Sequence, residues 1–185
     1  MKKVLTLPLL IIISCFIAGI YGIIHDQITY SISPEYYTKN KFIQFGLNEF
    51  LIPQGNERIL VAAVGWMATW WMGLILGTIL SLIAFIHKTW KQMFRITIKA
   101  ILLNLLITLL FGVLGYLYAL AFMSYESNDL AFWNVPNETV DITNYLRVGC
   151  IHNFGYLGGI IGLFVAIVYT IRSKRKMTHK EINLA

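Results

Sequence analysis

Four long apolar runs constrain the fold of this chain more than any other feature. They cover about residues 4–24, 59–86, 96–123 and 148–171. Each run can cross a bilayer, because about 20 residues suffice for a helix to span the hydrocarbon core. Backbone groups must be bonded internally in lipid, and the runs lack the alternation typical of strands, so they indicate helices. We predict an all-α integral membrane four-helix bundle that forms a single domain over residues 1–185.

The positions of the basic residues predict the orientation of this bundle. Eleven Lys and Arg side chains lie on the side that holds both termini, and four lie on the other side, with eight of the nine acids. Because basic loops stay in the cytoplasm, both termini are expected there, and residues 25–58 and 124–147 form outer loops. The basic residues 172–176 are interpreted as a topology anchor that touches anionic lipid. The expected partner is therefore the lipid bilayer and not nucleic acid.

The N-terminal run has two interpretations. A basic start, a short apolar stretch and a cysteine at position 15 resemble a lipoprotein signal, which would leave Cys15 lipidated. Apolar sequence nevertheless continues through Ile24, which favours an uncleaved membrane span. Cys15 and Cys150 form neither a metal-binding motif nor a disulfide framework, and both are expected to be buried thiols.

The first outer loop is predicted to contain a short amphipathic helix on the outer membrane surface. Ser33 is its expected N-cap, Pro34 its first residue and Glu35 an acid in its first turn. Its apolar side follows from the spacing of the large side chains. These are Tyr36, Phe42, Ile43, Leu47 and Phe50.

The second outer loop is expected to lead directly into the last helix. Steps of three and four residues then place one set of side chains on a single helical stripe. The stripe consists of Asp141, Tyr145, Val148, His152 and Tyr156.

Small residues and one amide predict how the helices pack. Gly73 and Gly77, Gly155 and Gly159, and Gly158 and Gly162 form Gly-x-x-x-Gly motifs, which let helix backbones approach closely. The motif leaves open whether the close contact lies within one bundle or between copies in a homo-oligomer. Asn104 lies deep within the third run, so its amide needs a partner on another helix.

Expected partners of Asn104 are the hydroxyl groups of the second run, because Thr78 and Ser81 lie at a comparable depth. Trp66, Trp70 and Trp71 occupy the outer half and centre of that run. Tryptophan favours the membrane interface, and the deeper two need acceptors for their indole N–H groups. They either pack between helices or form an aromatic wall around a cavity or cofactor.

Ionisable side chains gather near the predicted outer boundary. His25 and Asp26 end the first run, and His152 lies about one turn inside the fourth, so the two imidazoles are expected at the same level. Glu35 and Asp141 lie on that side too. Nitrogen and oxygen ligands of this kind suit a transition metal, and two histidines on facing helices also suit haem. A proton-handling pocket and an ordinary polar rim are the other interpretations.

Three sequence segments resemble a group of small bacterial membrane proteins. They are "HDQIT", "PEYY" and "ATWWMGLILG", with His25, Asp26, Glu35, Trp70 and Gly73 among the matching positions. The resemblance implies the four-span layout and a bacterial cytoplasmic membrane. It implies no activity.

These observations leave several functions open. The first is a metal- or haem-dependent enzyme, or a proton-handling protein, with an outward-facing pocket. The second is a structural or sensor subunit that assembles with other membrane proteins. The third is a small-solute carrier, which would need an oligomer to enclose a path.

Overall fold

The fold of the chain is entirely helical over the residues that the structure, a computed structural model, describes. These are residues 1–47, 56–123 and 133–182, with side chains as far as residue 175. The elements are α1 (Lys2–Ile32), α2 (Pro34–Tyr36), a π-helical turn (Tyr37–Lys41), α3 (Phe42–Gln44), α4 (Glu57–Ala84), α5 (Trp90–Phe122) and α6 (Ile142–Ile182). Within this part of the chain, α1, α4, α5 and the first 34 residues of α6 are long and apolar enough to cross a membrane. The predicted all-α fold with four spans is therefore confirmed.

Helix starts follow the capping chemistry of the sequence. Ser33 accepts a hydrogen bond from the Tyr36 N–H, and Pro34 follows it, so the predicted cap of α2 is confirmed. Thr89 and Gln92 form a capping box at the start of α5. The Asp141 carboxylate accepts from the backbone N–H of Asn144 at the start of α6.

Helix α1 is longer than its apolar run. The run ends at residue 24, whereas the helix continues to Ile32. The polar residues in between contain no helix breaker, and the helix ends where Ser33 turns extended before a proline. As a result, His25 and Asp26 lie within a helix and not at its end, and their side chains have fixed directions.

The four long helices pack as two close pairs, α1 with α4 and α5 with α6. Glycines set the spacing of the first pair. A Cβ atom on Gly65 would lie 2.4 Å from the Gly22 carbonyl oxygen, and one on Gly73 would lie 2.4 Å from the carbonyl oxygen of Ser14. A Cβ atom on Gly77 would meet Ser14 as well. The first Gly-x-x-x-Gly motif thus lies at a contact inside one chain.

The motif formed by Gly155 and Gly159 does not lie at a close contact between helices. A Cβ atom on Gly155 would have no heavy atom within 4 Å, and one on Gly159 would make only an ordinary contact with Thr108. The close contacts of α6 with α5 are made by Gly158 and Gly162 instead. Asn104 donates a 2.9 Å hydrogen bond to the Gly159 carbonyl oxygen. The expected partners on the second span were wrong, since the amide bonds α6.

Residues 34–44 cover one end of the bundle. Tyr36, Tyr37 and Phe42 are buried in an apolar cluster with side chains of α4 and α6. Ile43 points away and is 68% exposed, whereas Leu47 packs against the cluster. Phe50, the last residue of the predicted apolar side, lies outside the described residues. We call residues 34–44 the cap segment.

Candidate functional site

Three side chains from the two helix pairs converge beneath the cap segment. The Nδ1 atom of His25 lies 3.1 Å from Oδ1 of Asp26, and the Nε2 atom of His152 lies 3.5 Å from the same oxygen. The two imidazole rings are 4.9 Å apart between centroids. Asp26 is 4% exposed, so α1 and α6 bury one carboxylate between two histidines.

The hydrogen bonds of His152 indicate which kind of group must lie between its ring and the Asp26 carboxylate. Its Nδ1 atom lies 2.9 Å from the Val148 carbonyl oxygen, which can only accept, so Nδ1 carries the proton. In a neutral ring the lone pair of Nε2 then faces a carboxylate oxygen. That contact is repulsive unless a positive charge separates the two atoms. A metal ion satisfies this requirement, and so does a proton between the two atoms, carried by either His152 or Asp26.

The cluster has the dimensions of a metal site. The ligand atoms of His25, Asp26 and His152 lie within 4.8 Å of one another. Bonds of about 2.0–2.2 Å in a tetrahedral zinc site place ligand atoms about 3.4 Å apart. The distances of 3.1 and 3.5 Å to Oδ1 of Asp26 agree with this value, and the farthest pair of ligand atoms would have to approach. A histidine ligand almost always donates its other N–H to a carbonyl or carboxylate, as His152 does. A haem needs its two axial ligands on opposite faces, and rings 4.9 Å apart leave no space for it.

A cavity of about 110 Å³ opens beside the cluster. It extends between the two helix pairs towards Asn104 and Thr108 of α5 and Thr69 of α4. Lys41 of the cap segment also lines it, and it supplies the cavity with a cationic side chain. The cluster therefore has protein ligands on one side and open space on the other.

Aromatic side chains of the cap segment hold the histidines and the carboxylate in place. The Tyr36 ring stacks on His152 at 5.1 Å. The Tyr37 hydroxyl group forms a 2.5 Å hydrogen bond with Thr29, one turn after Asp26 on α1. Burial, followed by the charge of Asp26, raises the pKa of Tyr37, so this phenol stays neutral at physiological pH. The cap segment thus fixes the site without adding negative charge.

Lys41 is a buried lysine, 8% exposed. Its Nζ atom donates a 3.1 Å hydrogen bond to Gln44 and lies 5.7 Å from the centre of the Tyr36 ring. Burial lowers the pKa of Lys41, and the nearby Asp26 charge opposes that effect. An amine in this setting can stabilise negative charge that develops in the cavity.

Glu35 and Asp141, also predicted for the pocket, are engaged elsewhere. The Glu35 carboxylate accepts a 2.6 Å hydrogen bond from Lys39 and backbone N–H bonds from Val140 and Asp141. These contacts lower its pKa to about 2, with the Lys39 bond as the largest cause. Asp141 caps α6 by accepting from Asn144. Glu35 fastens the cap segment to the start of α6 and Asp141 caps that helix, and neither belongs to the described metal-ligating cluster.

None of the three tryptophans lines the cavity beside the cluster. Trp70 and Trp71 are 41% and 44% exposed and point away from the bundle. Trp66 packs edge-on against Phe16 and lies over Gly19. The interpretation as an aromatic wall is therefore corrected. Trp70 and Trp71 face outward, and Trp66 packs against α1. A helix that is apolar on all sides does not indicate which side faces inward.

Several site residues were missed by sequence reasoning. Tyr21, Lys41 and Tyr156 line the cavity, and Tyr37 supports α1 beside Asp26. From the sequence, Lys41 was expected on the solvent-exposed side of the loop helix. Its burial depends on how the cap segment folds over α6. The sequence segment "PEYY" was the only indication of a role for Tyr36 and Tyr37, and it did not specify that role.

No known protein family, curated protein or solved structure matches this chain significantly.

Proposed function

We propose that this protein is a membrane-embedded enzyme that binds one transition-metal ion through His25, Asp26 and His152. The observation that carries the proposal is the hydrogen bonding of His152, whose Nδ1–H is committed to a carbonyl while Nε2 faces a carboxylate oxygen. Two imidazoles and a carboxylate suit zinc and related divalent ions. Three protein ligands beside a cavity match the pattern of catalytic sites, which keep one coordination position open.

Hydrolysis is the reaction that this arrangement favours. A bound divalent ion lowers the pKa of a coordinated water and polarises a carbonyl group. Lys41 lines the same cavity and supplies positive charge for an oxyanion. Tyr36 stacks on His152 and restricts its ring, which keeps the ligand oriented. The cap segment and α6 close the site from above and exclude bulk water.

The proposed location is a bacterial cytoplasmic membrane, with both termini inside and the cap segment outside. The charge distribution supports this orientation. In a background without native cysteines, an impermeant thiol reagent should label Ile43→Cys in intact cells but not Ser173→Cys. Ile43 is 68% exposed, so lack of reaction there reflects topology and not burial. Labelling of Ser173→Cys alone would invert the orientation.

Metal binding tests the proposed function directly. Purified protein should bind about one equivalent of Zn²⁺, and Co²⁺ in its place should give the absorption bands of a nitrogen- and oxygen-ligated ion. Asp26→Asn keeps the shape of the side chain but removes a charged ligand, so binding should be lost while the fold survives. His87→Gln is the matched control, because His87 lies outside the cluster. Equal binding by the wild type and both variants would place the ion elsewhere.

A second candidate function is a proton-handling pocket. The same repulsion between Nε2 of His152 and Asp26 is relieved if a proton bridges the two atoms. In metal-free protein, proton NMR should then detect a bridging proton between His152 and Asp26. Absence of zinc binding together with this signal would replace the metal site by a proton shared within the pocket.

A further inference from the structure

A second, larger space adjoins the cluster on the membrane-facing side of the bundle. It is a groove of about 680 Å³ between α1 and α5, and Ile151 of α6 lies at its floor. Its α1 wall is formed by residues 17–32, mainly isoleucines on one side of the helix. Ile20, Ile24 and Ile28 are each more than half exposed. The two helix pairs thus leave an apolar channel open to the surrounding lipid.

Polar side chains also line this groove. Tyr21, His25 and Thr29 alternate with the isoleucines of α1, and Tyr116 lies on α5. Tyr21 and His25 also line the smaller cavity. The groove therefore leads from the lipid to the cluster, which it meets at His25.

The groove can hold part of a lipid tail. Residues 17–24 of α1, which lie on the membrane side of His25, rise about 11 Å along the helix axis. One leaflet contributes about 15 Å, half of a hydrocarbon core that is about 30 Å thick. The volume of about 680 Å³ lies in the range of ligand pockets, about 300–1,000 Å³. Acyl chains surround such a groove in a bilayer, so a lipid tail is its nearest apolar occupant.

We propose that the groove holds one acyl chain of a membrane lipid, and that the cluster acts on the ester bond at the head of that chain. This inference rests on the proposed function and names its substrate class. The carbonyl group of an acyl ester lies at the boundary of the hydrocarbon core, directly above the chain. His25 lines the groove where the first apolar run ends, which is the predicted outer boundary of the hydrocarbon core.

The reaction is hydrolysis and needs only water as a co-reactant. The water oxygen bonds to the carbonyl carbon, and the bond from that carbon to the ester oxygen breaks. The alcohol leaves with the ester oxygen and one proton of the water, and the fatty acid keeps the water oxygen and the other proton. Lys41 stabilises the negative charge on the carbonyl oxygen during the attack. No oxidant or reductant is involved.

Photo-crosslinking in vesicles tests the occupant. The vesicles contain phosphatidylcholine, a fraction of it with a diazirine in one acyl chain. Labelling should concentrate on the groove residues of α1 and α5. Gly112→Trp should reduce it at least twofold, because Gly112 lines the groove and a Cβ atom there meets nothing closer than Ile151 at 3.9 Å. Leu110→Trp is the matched control, because Leu110 is 52% exposed on α5 but lies outside the groove.

The outcomes separate this inference from the metal site. Groove-specific labelling, blocked by Gly112→Trp with zinc binding unchanged, together with release of fatty acid by the zinc-loaded wild type, supports both proposals. Labelling that Gly112→Trp leaves unchanged overturns the lipid groove even if zinc binds. Groove-specific labelling without zinc binding overturns the proposed function and, with it, the substrate assignment. A crosslink from a photoreactive residue at Leu109 to a second copy of the chain would make the groove a protein interface and overturn the inference.

Discussion

Gly73 provides the sharpest test of the packing between α1 and α4. In Gly73→Ala the new Cβ atom would lie 2.4 Å from the Ser14 carbonyl oxygen and 2.8 Å from the Cys15 Cα atom. Ordinary contact begins at 3.4 Å, so the backbones must separate by about 1 Å. Both obstacles are backbone atoms and cannot rotate away. Overpacking of this kind costs about 1–3 kcal/mol.

Gly155→Ala is the matched control for this substitution. It replaces a glycine in the middle of α6 at a position with no heavy atom within 4 Å of the new Cβ. The gain in helix propensity, about 1 kcal/mol, is the same for both variants and cancels when they are compared. Thermal unfolding in detergent should therefore separate them by about 2–12 °C, with Gly73→Ala lower, given about 2–4 °C per kcal/mol at this size. Equal melting temperatures would refute the close contact between α1 and α4.

Three further predictions follow from side chains with defined surroundings. The lowered pKa of Glu35, about 2, means that its contribution to stability is present above its ordinary pKa of 4.5 and is lost as the pH falls towards 2. Acid unfolding of Glu35→Gln should lack this phase, and an identical acid profile would contradict it. Asn104→Leu removes the bond to Gly159 and should lower the free energy of unfolding by about 0.6–1.7 kcal/mol in detergent, and an unchanged value would contradict a stabilising role of that bond. Burial, followed by two lysines, lowers the pKa of His87, so stability should fall as the pH drops below 6.5. His87→Phe should flatten that dependence, and a steeper one would contradict the burial of a neutral ring.

Hydropathy and helix geometry were sufficient to predict the helices and the meeting of His25 with His152. A helix rises by a fixed length per residue, so positions along antiparallel spans convert directly into depth. The rotation of each helix about its axis was not predictable in this way. Trp70 and Trp71 face outward and Asn104 bonds α6, because spans that are apolar on every side carry no signal for their inner face.

The roles of the acids were also beyond sequence reasoning. Glu35 and Asp141 are predicted on the same outer side as the cluster. Nearby backbone N–H groups nevertheless bind these carboxylates more strongly than a distant imidazole does. Those N–H groups reach the two carboxylates only after α6 has begun to form at Ile142. Lys41 likewise becomes a cavity residue only after the cap segment packs on the bundle.

The two helix pairs follow each other in the chain, and this order has a consequence for biogenesis. Helices α1 and α4 are complete before α5 begins at Trp90, so the first hairpin can insert and pack while the second is still being translated. His25 and Asp26 belong to the first hairpin, whereas His152 arrives with the last helix. Until then the ligand set is incomplete, and a premature ion meets only two of its three ligands. If the cluster binds the proposed ion, metal loading is reserved for the finished protein, and the ion would tie the early half of the chain to the late one.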